Sequence, residues 1–348
     1  MTTTRPTLGY LDGVLTVFGL EFRQRLRTRG WYVLLVVWFA LICGVTALGQ
    51  AADNSADMAG QFLFELVVGF VLLFALLVVP AMSANSVSGD RASGTLAILQ
   101  STLLRPGQLL WGKWLAAWAA SLVFLAVAVP ALVWAVLSGG VHVASLPVFI
   151  LMVALELGLM CAIGIGISAR SHRPLFAVTA TYLLVAAFTV GTPIAFGLGS
   201  ALTREEIQAP AVVGWEPDGE NGNGHYRCSE TRTTSWTLLH TERTAWMLAA
   251  NPFVIVSDAV PKGPDTSQDF GIMGSISSSV RDAQRGGDED IPCLTDRNAP
   301  TAPTTARPGP IWPLGVGIQA AVAAAALVAG HRRLRTPIGR LPAGMRVA

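Results

Sequence analysis

Hydrophobic residues gather along the chain into six long stretches that polar segments separate. These stretches cover residues 31–49, 62–84, 110–137, 146–168, 174–199 and 311–330. An α-helix rises about 1.5 Å per residue, so roughly 20 apolar residues cross a hydrocarbon core about 30 Å thick. The pattern therefore predicts six transmembrane helices, and the predicted fold class is an all-α polytopic membrane protein.

A shorter periodic pattern lies within residues 1–30, before the first predicted span. Apolar side chains recur there at intervals of three and four, at Leu11, Leu15, Phe18, Phe22 and Leu26. This spacing gives a helix with one apolar stripe, and its second half is rich in arginine. An amphipathic helix of this kind is suited to lie in the membrane interface. A simple basic anchor beside the first span is the alternative interpretation.

Composition agrees with a chain that is mostly surrounded by lipid. Hydrophobic residues make up 52% of the 348 residues and charged residues 13%, about half the charged share of a soluble protein. This balance excludes the class of soluble cytosolic enzymes. Almost every basic residue is arginine, a bias typical of GC-rich bacterial genomes, so we expect a protein of the bacterial plasma membrane.

The basic residues also predict the orientation, because they collect in cytoplasmic connections. They occur in residues 1–30, in the 85–109 loop, in the 169–173 turn and in the 331–348 tail, whereas the connections 50–61 and 138–145 contain none. Both termini are therefore predicted to be cytoplasmic. The long segment 200–310 is then extracellular, and segments of this length cross the membrane regardless of their charge.

Two of the four cysteines, Cys228 and Cys293, fall in the predicted extracellular segment. An exported compartment is oxidising, which favours a Cys228–Cys293 disulfide. Closing a loop of this length stabilises a protein by roughly 4 kcal/mol in the chain-entropy model. Two free thiols, or a metal site with His225, are the alternative.

The extracellular segment divides into two parts by composition. Residues 233–261 contain Trp236, Trp246 and an apolar run that Asn251-Pro252 breaks, and we expect an interfacial or partly re-entrant helix pair. Residues 262–310 are rich in Ser, Gly, Asp and Pro without an apolar period. That part is predicted to be a loop.

The loop between the second and third predicted spans, residues 85–109, has the most specific pattern. Leu96, Leu99 and Leu103 form an apolar ridge at helical spacing, and Pro106 can open the next helix. We expect a short cytoplasmic helix of about ten residues here. No water-soluble domain of this chain could cover its ridge, which therefore needs lipid or a partner protein.

Residues 107–113 match the spacing of a phosphate-binding loop, GxxxxGK. In such a loop Ser or Thr follows the lysine and a strand precedes the glycines. Here Trp114 follows Lys113, and the match lies where a membrane helix begins. A nucleotide site is therefore disfavoured, and we expect Lys113 to extend to the lipid headgroups.

Two carboxylates lie within predicted spans, Glu65 near the outer end of the second and Glu156 near the middle of the fourth. A carboxylate in the membrane marks a transport pathway or a contact between helices. Both interpretations stay open for each residue. The sequence has no HExxH or GxSxG motif, so we predict no catalytic residue, cofactor or metal in this chain.

The amphipathic helix, the six spans and the segment SGDRASGTLAILQSTLLRPGQLLWGKWLAA together resemble the permease subunit of type-2 ATP-binding-cassette transporters. In that family the loop after the second span carries an acidic residue and Arg, then Gly-Thr-Leu, a leucine-bearing coupling helix, a proline turn and Gly-Lys. The residues in those places are Asp90, Arg91, Gly94, Thr95, Leu96, Leu99, Pro106, Gly112 and Lys113. The family more often has Glu where this chain has Asp90.

This resemblance implies a function. A separately encoded ATPase, in two copies, would bind ATP and Mg and dock on the loop. The docking residues would be Asp90, Arg91, Gly94, Thr95, Leu96, Leu99 and Leu103. A second permease subunit, identical or paralogous, would complete an export pathway in the lipid bilayer, and no nucleic acid is expected. The alternatives are a non-transporting subunit that senses or docks an envelope protein, and an ion-coupled carrier that uses Glu156.

Overall fold

Six helices in this computed structural model are long and apolar enough to cross a membrane, and each contains one of the six predicted stretches or nearly all of it. The structure describes residues 9–52, 59–95, 104–139, 141–217, 224–261, 271–286 and 309–335. The spans are α2 (Arg29–Ala52), α3 (Ala59–Ser83), α5 (Pro106–Leu137), α6 (Ser145–Arg170), α7 (Pro174–Leu202) and α10 (Trp312–Arg335). The remaining elements are α1 (Tyr10–Arg27), α4 (Ser88–Ala92), β1 (Arg204–Pro217), β2 (Gly224–Leu239), α8 (Pro252–Ala259) and α9 (Ile272–Arg285). The all-α polytopic membrane fold is confirmed, with one β-hairpin added.

Helix α6 lies at the centre of the bundle, between α3, α5, α7 and α10. Its contact with α10 is close because small residues face each other there. A Cβ atom added at Gly166 would lie 2.6 Å from the Ala326 carbonyl oxygen, and one added at Gly330 would lie 2.8 Å from the Ala169 Cβ. Spans surrounded by lipid gain little from hydrophobic burial, so such close backbone packing holds them together.

A π-helical turn, Ala187–Gly191, interrupts α7. Such a turn disturbs the regular ladder of backbone hydrogen bonds and frees polar groups. The Asn251 side-chain amide donates to the Thr189 carbonyl oxygen at 2.9 Å and to the Thr192 hydroxyl at 3.0 Å. A residue from the connection between α7 and α10 therefore supplies hydrogen bonds to polar groups at the interruption of α7.

Strands β1 and β2 pair antiparallel, from Arg204 opposite Leu239 to Pro217 opposite Gly224, with irregularities on either side of Val212. We call the end of the bundle where α7 runs into β1 the hairpin end, and the opposite end the loop end. The prediction of a helix pair over 233–261 is wrong for residues 233–239, which belong to β2. Threonine-rich sequence favours strand, and the partner strand is distant in the chain.

Residues 245–259 form a 3-10 turn, Ala245–Leu248, followed by α8. We call residues 245–259 the inserted segment, because it packs among α6, α7 and α10. Asn251 caps α8 by accepting from the Phe253 amide at 2.9 Å. At the other end of α8, the buried Asp258 carboxylate accepts from the Ile311 amide at 2.7 Å and the Trp312 amide at 3.2 Å. The inserted segment is thus attached to the start of α10.

The loop predicted for residues 262–310 contains a helix, α9, so that prediction is wrong for 272–285. The buried side of α9 consists of Met273, Gly274, Ser277, Val280 and Ala283. From Gly274 onward these residues are spaced three apart. Most of these residues are small or polar. Met273, Ile276, Val280 and Ala283 nevertheless recur at helical spacing, so α9 is amphipathic although residues 262–310 are rich in Ser and Gly overall.

Candidate functional site

The Lys113 ammonium group is fully buried near the start of α5, where it contacts two carboxylates. Its Nζ atom donates to Glu21 of α1 and lies 2.6 Å from Asp90 Oδ2 in α4. Glu21 and Asp90 are partly exposed, at 20% and 28%. A buried cation is stable only when it is paired in this way. We call these three residues the ion cluster; it joins α1, α4 and α5.

The expectation that Lys113 extends to the lipid headgroups is therefore wrong. Its side chain is 1% exposed because α1 lies across the first turns of α5 and covers it. The stem of a lysine can reach headgroups only when no helix blocks its path. Here two carboxylates already replace water around the ammonium group, so extension to the surface would break both ion pairs.

The GxxxxGK spacing is explained by helix packing. A Cβ atom added at Gly107 would lie 2.9 Å from the Tyr10 hydroxyl oxygen. One added at Gly112 would lie 2.7 Å from Val17 Cγ1 and 2.9 Å from the Val14 carbonyl oxygen. Both glycines therefore allow α1 to approach α5 closely, which brings Glu21 to Lys113.

Helix α1 uses two different faces. Gly13, Val14 and Val17 are buried against α5, whereas Leu11 and Leu15 of the predicted apolar stripe are 73% and 59% exposed. Phe22 and Leu26, at the other end of the predicted stripe, pack against the bundle core, so only the first part of the stripe is exposed and its place in the membrane interface stays a prediction. The buried face was missed, because it is short and contains only one glycine and two valines.

Arg91, next to Asp90, points to a different span. Its guanidinium group donates to the Ser171 carbonyl oxygen and, at 3.0 Å, to the Ala169 carbonyl oxygen. These carbonyls end α6, where the helix dipole favours a cation. The Val87 and Ser88 amides also donate to the Ser168 hydroxyl, at 3.1 and 3.0 Å. Helix α4 is thus tied to α6 as well as to α5.

The chain makes a turn directly after α4. Gly94 has φ +77°, a conformation that only glycine adopts without strain. The Thr95 hydroxyl donates to the Asp90 carbonyl oxygen at 3.1 Å and so closes the turn. Leu96, Leu99 and Leu103 lie outside the described residues, so their part in docking stays a prediction.

His172 lies beside this region, at the loop end of the bundle. Its Nε2 atom is 2.7 Å from a guanidinium nitrogen of Arg333 in α10. Burial and the neighbouring Arg91 and Arg333 lower the pKa of His172. A neutral imidazole can then accept a hydrogen bond from Arg333. A neutral His172 therefore adds no further positive charge next to Arg91 and Arg333 at the loop end.

Sequence reasoning identified Asp90, Arg91, Gly94 and Thr95 from the resemblance, but it missed Glu21. A signal for this residue exists, because Glu21 is the acidic residue within the basic second half of α1. Its partner is 92 positions away in the chain. No local pattern connects residues at that separation, so their contact depends on the packing of α1 on α5.

Glu65 lies at the N-terminus of α9. Its Oε2 atom accepts a hydrogen bond from the Met273 amide at 3.1 Å, and the side chain is 9% exposed. Carboxylates are favourable at helix N-termini, where free amides and the helix dipole attract negative charge. This contact gives Glu65 a structural role between α3 and α9; its predicted place in a pathway stays a prediction.

Glu156 is 1% exposed in the middle of α6, and Gln319 of α10 is its polar neighbour. Neither carboxylate oxygen has a hydrogen-bond partner in the described part of the chain. Gln319 donates to the Ala250 carbonyl oxygen at 3.0 Å. Both interpretations of Glu156, a contact between helices and a place in the transport pathway, therefore stay predictions.

The cysteines fall into two groups. Cys43 and Cys161, both in spans, are free thiols. Cys228 lies on β2 opposite Val212, and Cys293 lies outside the described residues, so their predicted pairing stays a prediction. In the described part of the chain, His, Cys, Asp and Glu side chains form no group of three that could hold a metal ion.

The chain is similar to one known family of membrane proteins. A family model described as ABC-2 family transporter protein matches residues 15–329. The match begins within α1 and ends within α10, and it includes the other five spans, the hairpin and the inserted segment. No curated protein matches the chain.

Proposed function

Because the chain belongs to the ABC-2 family of transporter proteins, we propose that it is the permease subunit of an ATP-driven exporter. The family consists of membrane transport subunits and not of catalytic enzymes, and membership implies an ATPase partner. The chain is accordingly a multi-pass membrane protein with six candidate spans. The export direction and the mode of coupling belong to the proposal.

The ion cluster is the observation that carries the coupling part of the proposal. Asp90 and Arg91 immediately precede the loop on which an ATPase would dock. Asp90 contacts Lys113 of α5, whereas Arg91 contacts the end of α6. A displacement of this loop would therefore move two spans and, through Glu21, the helix α1. Such rigid-body movement is how transporters switch between inward-facing and outward-facing states.

We propose a definite set of partners. Two copies of a separately encoded ATPase bind ATP and Mg, and this chain holds neither. Leu96, Leu99 and Leu103 form the ridge that enters the ATPase, while Asp90, Arg91, Gly94 and Thr95 hold the ridge in place. A second permease subunit, identical or paralogous, completes the pathway. Membership of the transporter family supports this assembly over a sensor or an ion-coupled carrier.

The proposed location is the bacterial plasma membrane, with both termini in the cytoplasm and residues 200–310 outside. The distribution of basic residues supports this orientation. We also propose the Cys228–Cys293 disulfide. It is supported by the position of both residues in the same segment, while the two free thiols, Cys43 and Cys161, lie in spans.

Affinity purification tests the proposal directly. The tagged chain, isolated from its native membrane, should retain an ATP-binding-cassette ATPase, and the double variant L99D/L103D should lose it. Leu239→Asp, at an exposed position on β2, is the matched control and should retain the ATPase. An ATPase that stays bound to the double variant would show that this loop is not the docking surface. Absence of any ATPase from the wild-type preparation would contradict the proposed function itself.

A further inference from the structure

Three polar groups meet in the interior of the bundle. They are the Glu156 carboxyl group of α6, the Gln319 amide of α10 and the Ala250 carbonyl group of the inserted segment. Glu156 is 1% exposed and Gln319 is 0% exposed. They lie about 16 Å and about 10 Å along α6 and α10 from the first residue of each helix, well inside the hydrocarbon core.

The orientation of the Gln319 amide is fixed by its neighbour on the inserted segment. The Ala250 carbonyl oxygen can only accept, so the Gln319 Nε2 atom must face it, at 3.0 Å. The Gln319 Oε1 atom then faces away from Ala250 and has no donor in the described part of the chain. An unsatisfied acceptor of this kind, buried in a bundle, is destabilising.

The oxygens of the Glu156 carboxyl group also lack a hydrogen-bond donor in the described part of the chain. A charged carboxylate is an acceptor only, and neither of its oxygens finds a donor among the described residues. Gln319 is the polar neighbour of this carboxylate, and its Nε2 atom already donates to the Ala250 carbonyl oxygen. A protonated carboxyl group has one O–H, and the Gln319 Oε1 atom can accept it.

Charged groups on the elements around α6 are engaged elsewhere or lie at the ends of the bundle. Glu65 of α3 binds the Met273 amide, Asp258 of α8 pairs with Arg281, and Lys113 of α5 belongs to the ion cluster. Arg25 of α1 donates to the Met82 carbonyl oxygen. Arg170 on α6 and the basic residues of α10 from His331 onward are at least about 18 Å along the helices from Glu156 and Gln319. None of these cations interacts electrostatically with Glu156.

We propose that Glu156 is a proton-binding site within the membrane, and that in this conformation it is a neutral acid that donates to Gln319 Oε1. The proton comes from water and returns to water when the site opens. A chain of two hydrogen bonds then runs from Glu156 through Gln319 to Ala250. It joins α6 and α10 to the inserted segment, whose next residue, Asn251, is bound to α7.

The bound proton thereby holds the inserted segment in place. Loss of the proton would remove the proposed hydrogen bond to Gln319 and leave a buried negative charge, which would favour separation of α6 from α10 and from Ala250. This inference concerns the protonation of one side chain and does not depend on ATP-driven export. It can be tested on the purified chain without a transport assay.

Infrared spectroscopy tests the protonation state. The purified wild type at neutral pH should show the carbonyl stretch of a protonated carboxyl group, and Glu156→Gln should abolish it. Glu65→Gln is the matched control, because it also removes a buried span carboxylate, and it should retain the band. Gln319→Leu should shift the band to higher frequency, because the hydrogen bond is lost. A wild-type spectrum without the band, or a band that Glu156→Gln leaves unchanged, would overturn the proposal.

Hydrogen–deuterium exchange tests the consequence for the inserted segment. The amide in Glu156→Gln can donate to Gln319 as the neutral acid does, so residues 245–259 should keep wild-type protection. Glu156→Leu has similar volume but no donor, and the same residues should exchange faster. Wild-type protection in the leucine variant, or fast exchange in the glutamine variant alone, would contradict the proposed hydrogen-bond chain.

Discussion

The Lys113 ammonium group and the Asp90 carboxylate lie 2.6 Å apart, although 23 positions and the whole predicted docking loop separate them in the chain. Their contact closes this loop at its base. Since Glu21 binds the same ammonium group from α1, one lysine holds three segments together. The base of the loop is therefore fixed to α1 and α5. We expect a force on the loop to be transmitted to the spans through these contacts.

Replacing Lys113 with Met should destabilise the protein by about 3 kcal/mol, because two carboxylates lose the cation they face. We expect the low end of the range for buried pairs, since Glu21 and Asp90 are partly exposed and can gain water. Thermal unfolding of the purified protein measures the change. Lys113→Arg keeps the charge and should lose less. Equal melting of the methionine variant and the wild type would contradict a stabilising ion cluster.

Replacing Gly112 with Ala should push α1 away from α5. The new Cβ atom would overlap with Val17 and the Val14 carbonyl oxygen, and such overpacking costs about 1–3 kcal/mol. Gly317→Ala is the matched control, since a Cβ atom there meets nothing within 4 Å. Thermal unfolding should separate the two variants, with Gly112→Ala the less stable. Comparable stability would show that α1 is not packed closely at Gly112.

Replacing Asn251 with Asp separates the two roles of this residue. The aspartate still accepts from the Phe253 amide and caps α8, but it cannot donate to the Thr189 carbonyl oxygen. An unsatisfied carbonyl at the π-helical turn should cost about 1–3 kcal/mol. Hydrogen–deuterium exchange should show faster opening around residues 187–192 of α7. If only α8 loosens, the amide contact with α7 carries little stability.

His240 should make the base of the hairpin sensitive to pH. Hydrogen bonds with Glu205 at 3.0 Å and Glu242 at 2.9 Å raise the pKa of His240. A raised pKa in the folded state gives stability that is fully present below the unfolded pKa of about 6.5. That stability is lost as the pH rises through the folded value. Nuclear magnetic resonance of labelled His240 should show a lower pKa in Glu205→Gln, and an unchanged titration would contradict the contact.

The Cys228→Ser variant tests the proposed disulfide. The wild type should change its mobility on a denaturing gel when it is reduced, because a closed loop makes the unfolded chain more compact. The serine variant should migrate at one position with or without reductant. Cys43→Ser, which removes a free thiol, should behave as the wild type does. A reduction-dependent shift that persists in Cys228→Ser would exclude this pairing.

The spans could be predicted because their signal is local. Helices α2, α3, α5, α6, α7 and α10 each contain a continuous apolar stretch, and lipid leaves a buried chain few alternatives to a helix. The hairpin could not be predicted in the same way. Its strands are stabilised by each other, and residues 233–239 resemble an interfacial segment until β1 is placed beside them. Helix α9 was missed because the prediction followed the high Ser, Gly, Asp and Pro content of residues 262–310 and overlooked the apolar period within residues 272–285.

The sequence by itself determined how many times the chain crosses the membrane, where it crosses and which family it resembles. Hydropathy and the spacing of a loop motif are properties of neighbouring residues, and both can be read directly from the chain. Only the tertiary structure decided which polar groups meet inside the bundle. Lys113 pairs with Glu21 and Asp90, and Glu156 lies beside Gln319, because separate helices pack together and burial then requires each polar group to find a partner.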